Sequence, residues 1–165
     1  MRSLIQRLAG IVTIASLFIL TGCSGNRAPA IEVQHLLDAS QTLNLAQPQK
    51  PTLVVFWATN CSSCIEEIPS IIALQKMYGD KIHIVGIAMS FDDPTTLKNF
   101  VLQRQLPYMI AHDSNGDIAL GFGKIFVTPT NLLLSPDGKI VWKNVGDLDK
   151  STLQKRIDEM LKTPA

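Results

Sequence analysis

The feature that most constrains this chain is a short apolar strand followed at once by two cysteines at the start of a helix. The run 53–57 (Leu-Val-Val-Phe-Trp) is apolar and β-branched and too short for a helix of its own, so it predicts a buried strand. Thr59 and Asn60 interrupt the run, and Cys61 and Cys64 follow with two serines between them. The pattern places two thiols in the first turn of a helix and predicts a redox site there.

The two cysteines are expected to differ in reactivity. A helix N-terminus carries unpaired N–H groups and a partial positive charge, which stabilise a thiolate and lower the pKa of Cys61. Cys64 lies one turn further into the helix and should be more shielded. We predict that Cys61 attacks a substrate disulfide and that Cys64 resolves the mixed disulfide, which leaves a Cys61–Cys64 bridge.

The motif Phe-Trp-Ala-x-x-Cys-x-x-Cys at 56–64 resembles the thioredoxin superfamily. Within it, the chain resembles the TlpA/ResA-like branch of membrane-anchored, extracytoplasmic thiol–disulfide oxidoreductases over roughly residues 31–162. The resemblance implies a thioredoxin-like α/β fold, with a central mixed sheet flanked by helices. It also implies an N-terminal β-hairpin and an extra helix and strand before a cis-proline. No bound cofactor is expected.

A second motif, Val-Thr-Pro-Thr at 127–130, resembles the superfamily segment whose proline is cis and faces the cysteines. The alternative is an ordinary trans proline before a strand. The resemblance implies that Thr128 and Pro129 contact substrate together with Trp57 and Asn60. Asn60 stands where the family usually has tryptophan, which alters the surface that meets the substrate.

Glu67 is the remaining candidate for the chemistry. It follows Cys64 by three positions and therefore shares its helix face. In the family, a glutamate at this offset is thought to tune thiol ionisation, and partial burial would raise its pKa enough for it to accept a proton. A solvated glutamate near the helix start is the alternative. Val55 occupies the position of thioredoxin's buried aspartate, so that proton acceptor is absent here and Glu67 becomes the stronger candidate. Ser63 stands where the family frequently has proline.

The rest of the mature chain, residues 31–165, predicts one domain in which strands alternate with helices, as in a mainly parallel sheet. The predicted segments, in order, are a hairpin over 31–37 and 42–45 separated by 38–40, a helix from the cysteines to Tyr78, a strand at 81–90, a helix at 93–104, a strand at 108–111, a helix at 117–122, strands at 131–134 and 140–142, and a helix at 149–161.

The N-terminus predicts an export signal. Arg2 and Arg7 supply a positive region, and residues 8–20 are apolar but too short to span a bilayer comfortably. Residues 1–22 are therefore interpreted as a secretory signal peptide. An uncleaved membrane anchor is the alternative, and either interpretation predicts an exported, tethered domain.

The end of this segment, Leu-Thr-Gly-Cys at 20–23, resembles a bacterial lipobox. The resemblance implies cleavage before Cys23, lipidation of Cys23, and a short lipidated tether over 23–30. Lipid on Cys23 leaves two of the three cysteines to pair with each other. Ser24 resembles the outer-membrane sorting signal of Gram-negative lipoproteins. The predicted location is the periplasmic side of a bacterial membrane.

Charge and composition argue against other partners. The 15 basic and 14 acidic residues nearly cancel, so nucleic acid is not an expected partner. His35, His83 and His112 are scattered singly and no second ligand pair accompanies the two cysteines, so no metal site is predicted. The expected partners are an exported protein client and a membrane-bound electron donor, because the compartment itself is oxidising.

Two other functions fit the cysteine spacing. A thioredoxin-like peroxidase is the first, although Ala58 occupies a position where peroxiredoxins usually have threonine. The second is a non-catalytic binding module whose Cys61–Cys64 bridge is a permanent structural disulfide. The leading hypothesis remains a thiol–disulfide oxidoreductase that reduces exported clients, with apocytochrome c as one candidate.

Overall fold

The computed structural model describes residues 26–162, which form a five-stranded sheet, a two-stranded hairpin and four α-helices. The predicted signal peptide and Cys23 lie outside the described residues. The elements are β1 (Glu32–His35), β2 (Asp38–Asn44), β3 (Thr52–Trp57), α1 (Ser62–Tyr78), β4 (His83–Ala88), α2 (Pro94–Arg104), β5 (Met109–His112), α3 (Asp117–Gly121), β6 (Thr130–Leu134), β7 (Ile140–Val145) and α4 (Lys150–Lys162).

The main sheet has the strand order β5-β4-β3-β6-β7 and is mixed. β3 pairs in parallel with β4, as does β4 with β5, whereas β6 is antiparallel to both β3 and β7. The mixed sheet implied by the family resemblance is confirmed, and the mainly parallel sheet expected from strand–helix alternation is wrong. A tight turn at 135–139 joins β6 to β7, and such a turn can connect only antiparallel strands.

The central strand β3 separates two hydrophobic cores. All six of its residues are buried, and successive side chains point to opposite faces of the sheet. Leu53, Val55 and Trp57 face the core that also holds Cys64 and residues of α1, α2 and α4. Val54 and Phe56 face the core formed with the hairpin and α3. The cysteine-bearing helix therefore packs directly on the first face of β3.

The N-terminal hairpin is confirmed, but its turn is not where the sequence predicted it. The turn is at Leu36 and Leu37, and residues 38–40, expected to form the turn, belong to β2. The N–H of Leu36 donates to the carbonyl of Ile110 at 2.7 Å, and its side chain packs against the first core. The turn at Leu36 and Leu37 is apolar because it packs against β5. This tertiary contact cannot be predicted from the residue types that usually form turns.

The described part of the predicted tether, residues 26–30, is packed against the domain. The N–H of Ala28 donates to the carbonyl of Gly138 at 2.8 Å, and Ala28 is buried. The Arg27 guanidinium lies 3.3 Å from the Asp137 carboxylate. The folded domain therefore includes residues 26–30, ahead of the predicted domain start at residue 31.

The helix limits follow the local signals. Gly79, with φ of 53°, ends α1, and the carboxylate of Asp93 caps α2 by accepting from the N–H of Thr96 at 2.8 Å. The extra helix and strand expected before the proline segment are α2 and β5. Among residues 26–162, no helix is long and apolar enough to cross a membrane.

Candidate active site

Cys61 and Cys64 form a disulfide at the N-terminus of α1. Cys61 is the N-cap residue, and its Sγ accepts a hydrogen bond of 3.3 Å from the backbone N–H of Cys64. The two Cα atoms are 5.3 Å apart. Cys61 is half-buried, whereas Cys64 is only 3% exposed. The difference in shielding predicted from the sequence is confirmed, and Cys61 is the sulfur that an incoming protein can reach.

A buried carboxylate fixes the loop that leads to Cys61. Asp92, which follows β4, accepts from the backbone N–H of Thr59 at 2.9 and 3.1 Å and from the Thr59 hydroxyl at 2.6 Å. The sequence analysis missed this contact. Asp92 directly precedes Asp93, which the sequence identifies as a helix cap. No neighbouring residue indicated that the side chain of Asp92 would instead bind the loop at Thr59.

The Thr128–Pro129 peptide is cis, as the family resemblance implied. The register pairs Phe56 of β3 with Thr130 of β6, so Pro129 lies beside the end of β3 from which the cysteine loop departs. Pro129 is buried and Thr128 is half-buried, and the Pro129 carbonyl accepts from the N–H of Gly146 at 2.9 Å. The proline segment and the cysteines thus share one edge of the sheet.

Trp57 lies in the core beside the cysteine loop. Its side chain is 4% exposed and packs against Phe100, with 5.5 Å between the ring centres. The alternation along β3 directs Trp57 into the first core, and contact of Trp57 with substrate stays a prediction. Asn60, in contrast, is exposed directly before Cys61 and remains available to a partner.

Glu67 is buried on the helix face that carries Cys64. It is 7% exposed, and neither carboxylate oxygen has a hydrogen-bond partner among the described residues. Burial raises the pKa of Glu67 from 4.5 to about 7, and the nearby charge of Asp147 adds to the rise. The Asn131 amide lies beside the carboxylate and opposes the rise, although no hydrogen bond of good geometry joins the two. A carboxyl group with this pKa can exchange protons near neutral pH.

Asn131 is a site residue that sequence reasoning missed. It is fully buried as the second residue of β6, where every other residue is also buried. The available signal was an amide side chain directly before the apolar run Leu-Leu-Leu of a predicted buried strand. A cleft of about 180 Å³ opens beside Glu67 and is lined by Ser63, Glu66, Glu67, Ser70, Asp147 and Leu148. Glu67 therefore forms part of the wall of a cleft that is open to solvent.

The fold and this site define a thioredoxin-superfamily protein whose centre is a Cys-x-x-Cys couple capable of a two-electron dithiol–disulfide change. Among residues 26–162, no group of three or more His, Cys, Asp or Glu side chains is arranged to hold a metal ion. The family model described as Redoxin matches residues 23–161, and the chain belongs to that family.

Named relatives and a solved structure agree with this assignment. The chain is 30% identical to the thiol-disulfide oxidoreductase ResA of Bacillus thuringiensis subsp. konkukian over 67% of its own length and 64% of that protein. It is 29% identical to the thiol:disulfide interchange protein HelX of Rhodobacter capsulatus, over 86% of this chain and 78% of the relative. A solution structure of a Neisseria meningitidis protein assigned to the thioredoxins matches with a TM-score of 0.74 and 27% identity, over 84% of this chain and 91% of that one.

Proposed function

We propose that this protein is an extracytoplasmic thiol–disulfide oxidoreductase that reduces disulfides in exported client proteins. The observation that carries the proposal is the disulfide between a half-buried Cys61 at a helix N-terminus and a buried Cys64. The names of the ResA and HelX relatives support the same chemistry. A cycling couple needs one accessible sulfur and one shielded sulfur, and this pair has that arrangement.

In the proposed reaction, the Cys61 thiolate of the dithiol form attacks one sulfur of a client disulfide. An S–S bond forms between Cys61 and the client, and the second client sulfur leaves as a thiolate. The Cys64 sulfur then attacks Cys61, which forms the Cys61–Cys64 disulfide and releases the first client thiolate. Two electrons pass from the protein to the client. The N–H of Cys64 and the other unpaired N–H groups of the first turn stabilise the Cys61 thiolate.

Glu67 is proposed to accept the proton that Cys64 loses in the second step. Its carboxylate lies one helical turn beyond Cys64, inside the same buried region. Since burial raises its pKa to about 7, the group takes up and releases a proton without a large free-energy change at neutral pH. The adjacent cleft offers the route by which that proton returns to solvent.

The client is proposed to dock over the exposed Asn60 and the Thr128–Pro129 segment. Asn60 precedes the attacking sulfur, and Pro129 lies at the same edge of the sheet. The exposed side chains of Phe126 and Val127 precede this segment and extend the surface. Apocytochrome c is the client class that the family resemblance favours.

Lipid on Cys23 is proposed to hold the domain at the outer side of a bacterial membrane, after removal of residues 1–22 as a signal peptide. Ser24 favours the outer membrane. Because the compartment is oxidising, a membrane-bound donor has to return the couple to the dithiol form. Radiolabelled palmitate incorporated by the wild type and lost in Cys23→Ala would support the anchor, and equal labelling of both would refute it.

The Cys64→Ser variant tests the proposed activity. Without the resolving sulfur, Cys61 should remain attached to its client, and the adduct should be visible on a non-reducing gel of cell envelopes and disappear with dithiothreitol. Cys61→Ser/Cys64→Ser is the matched control and should trap nothing. The proposal would be refuted by two results together: Cys64→Ser forms no adduct, and the wild-type disulfide has a reduction potential too negative for exchange with dithiothreitol. The Cys61–Cys64 bridge would then be a structural disulfide.

A further inference from the structure

The buried region behind Cys64 contains polar side chains that the cysteine chemistry described so far does not use. Asn131 is 0% exposed, and both its amide nitrogen and its amide oxygen lack a hydrogen-bond partner among the described residues. Both carboxylate oxygens of the neighbouring Glu67 are also buried and lack a hydrogen-bond partner among the described residues. Buried polar groups are normally paired, so two adjacent unpaired groups require an explanation.

The sheet register directs Asn131 toward α1. Asn131 and Leu133 are two residues apart in β6 and therefore project from the same face, and Leu133 belongs to the core that contains Cys64. Across the sheet, Asn131 is paired with Val55 of β3, on the strand against which α1 packs. The amide thus lies beneath the helix turn that carries Cys64 and Glu67.

The groups that face Glu67 come from several elements. Asn131 of β6 and Asp147 of the loop after β7 act on it directly, and Tyr108, ahead of β5, has its own pKa raised by burial and by the Glu67 charge. Glu66 of α1 lines the same cleft. Asn144, paired with Asn131 across β6 and β7, lies on the same face and has an unpaired amide oxygen. No cation among the described residues forms an ion pair with Glu67.

Asn131 is the neutral hydrogen-bonding group that acts directly on the Glu67 carboxylate, whereas Asp147 acts on it by charge repulsion. A primary amide donates through Nδ2–H to a carboxylate and accepts through Oδ1 from a carboxylic acid, so one side chain can pair with either protonation state of Glu67. An aspartate at 131 could not donate when ionised, and a leucine could do neither.

We propose that Asn131 is a positioning residue that pairs with the Glu67 carboxylate and holds it as the proton acceptor for Cys64. The inference rests on the proposed function and adds a second residue to the proton step. When Cys64 attacks the mixed disulfide, its S–H proton moves to the Glu67 carboxylate, the S–S bond forms, and the client sulfur leaves with the electron pair. Asn131 donates to Glu67 before the transfer and accepts from it afterwards.

The test compares Asn131→Leu, Glu67→Gln and the double variant. The Glu67 carboxyl is titrated by carbon-13 NMR in the dithiol form, and the rate of client-disulfide reduction is followed across pH. Losing the amide donor should raise the pKa of Glu67. A rise of one pKa unit lowers the ionised fraction about tenfold at acid pH, so we expect a rate about three- to tenfold lower at pH 6 that returns to the wild-type value at pH 9.

The controls separate a positioning role from loss of stability. Thr52→Val replaces another fully buried polar side chain of the sheet, at the far end of β3, and should leave the Glu67 titration unchanged. Asn131→Thr keeps a hydroxyl donor and should restore part of the wild-type profile, which also covers the case that Asn131→Leu does not fold. In the Glu67→Gln background, removing the amide should change nothing further.

Three results would overturn the inference. They are an unchanged Glu67 titration in Asn131→Leu, an equal change in Thr52→Val, and an Asn131→Leu effect that persists in the Glu67→Gln background. A wild type that does not reduce the client would instead refute the proposed function. The NMR titration would still decide whether Asn131 controls Glu67, since that readout needs no activity.

Discussion

Replacing Glu67 by glutamine should remove a pH-dependent loss of stability from the disulfide form of this protein. The carboxyl group is protonated in both folded and unfolded chains below its ordinary pKa of 4.5. Between 4.5 and about 7 the unfolded chain gives up the proton while the folded chain keeps it, so the unfolded state is progressively favoured. The stabilisation of the folded state is thus complete below pH 4.5, is lost as pH rises toward 7, and does not change above that.

The size of this effect follows from the two pKa values. A rise from 4.5 to about 7, at about 1.4 kcal/mol per pKa unit, corresponds to about 3 kcal/mol. The free energy of unfolding of the wild type should therefore fall by about 3 kcal/mol more than that of Glu67→Gln between pH 4.5 and 7.5.

The assay is urea unfolding at several pH values between 4 and 8, without thiols, so that the cysteines stay bonded and do not titrate. The quantity to compare is the difference in unfolding free energy between the two proteins, because histidines and surface carboxylates cancel in it. Glu66→Gln removes the same charge from an exposed neighbour on the same helix and serves as the control. Parallel curves for wild type and Glu67→Gln across the whole range would refute the reasoning.

Three other substitutions test the geometry of the site. Asp92→Asn should lower stability by about 1–3 kcal/mol and slow alkylation of reduced Cys61, because an amide cannot accept all the Thr59 contacts; an unchanged urea midpoint would contradict this. Gly86→Ala should cost about 1–3 kcal/mol by calorimetry, because an added Cβ would lie 2.9 Å from Ile110 Cδ1 and 3.1 Å from the indole nitrogen of Trp57. Asp93→Ala should cost about 1 kcal/mol through loss of the α2 cap, with unchanged client reduction as the companion measurement.

Local patterns predicted most of the elements because each signal lies within a few residues. The apolar run before the cysteines predicted β3, Gly79 predicted the end of α1, and Asp93 with Pro94 predicted the start of α2. These features depend on backbone conformation and capping, which neighbouring residues decide. The hairpin turn at Leu36 was mislocated because its stability comes from a contact with β5, 74 residues along the chain from Leu36 to Ile110.

The candidate site divides in the same way. Cys61, Cys64 and Glu67 were found because they follow one another at intervals of three residues at the start of α1, and this spacing alone places neighbours on a common face. Trp57 was named as a substrate contact from the family resemblance, and its burial on the core side of β3 follows from the pleat of that strand. Asp92 and Asn131 were missed, because each acts on a residue that is distant in sequence.

The sequence by itself determined the chemistry of this protein: which two sulfurs can pair, which of them begins the helix, and which carboxyl group follows one turn later. These are consequences of spacing along a single helix. Only the tertiary structure decided the environment of that carboxyl group. The antiparallel pairing of β6 with β3 brings Asn131 beneath α1 and the loop after β7 brings Asp147 beside it, and burial among them raises the pKa of Glu67. Burial depends on what the fold packs around a group, and for that reason no stretch of sequence contained it.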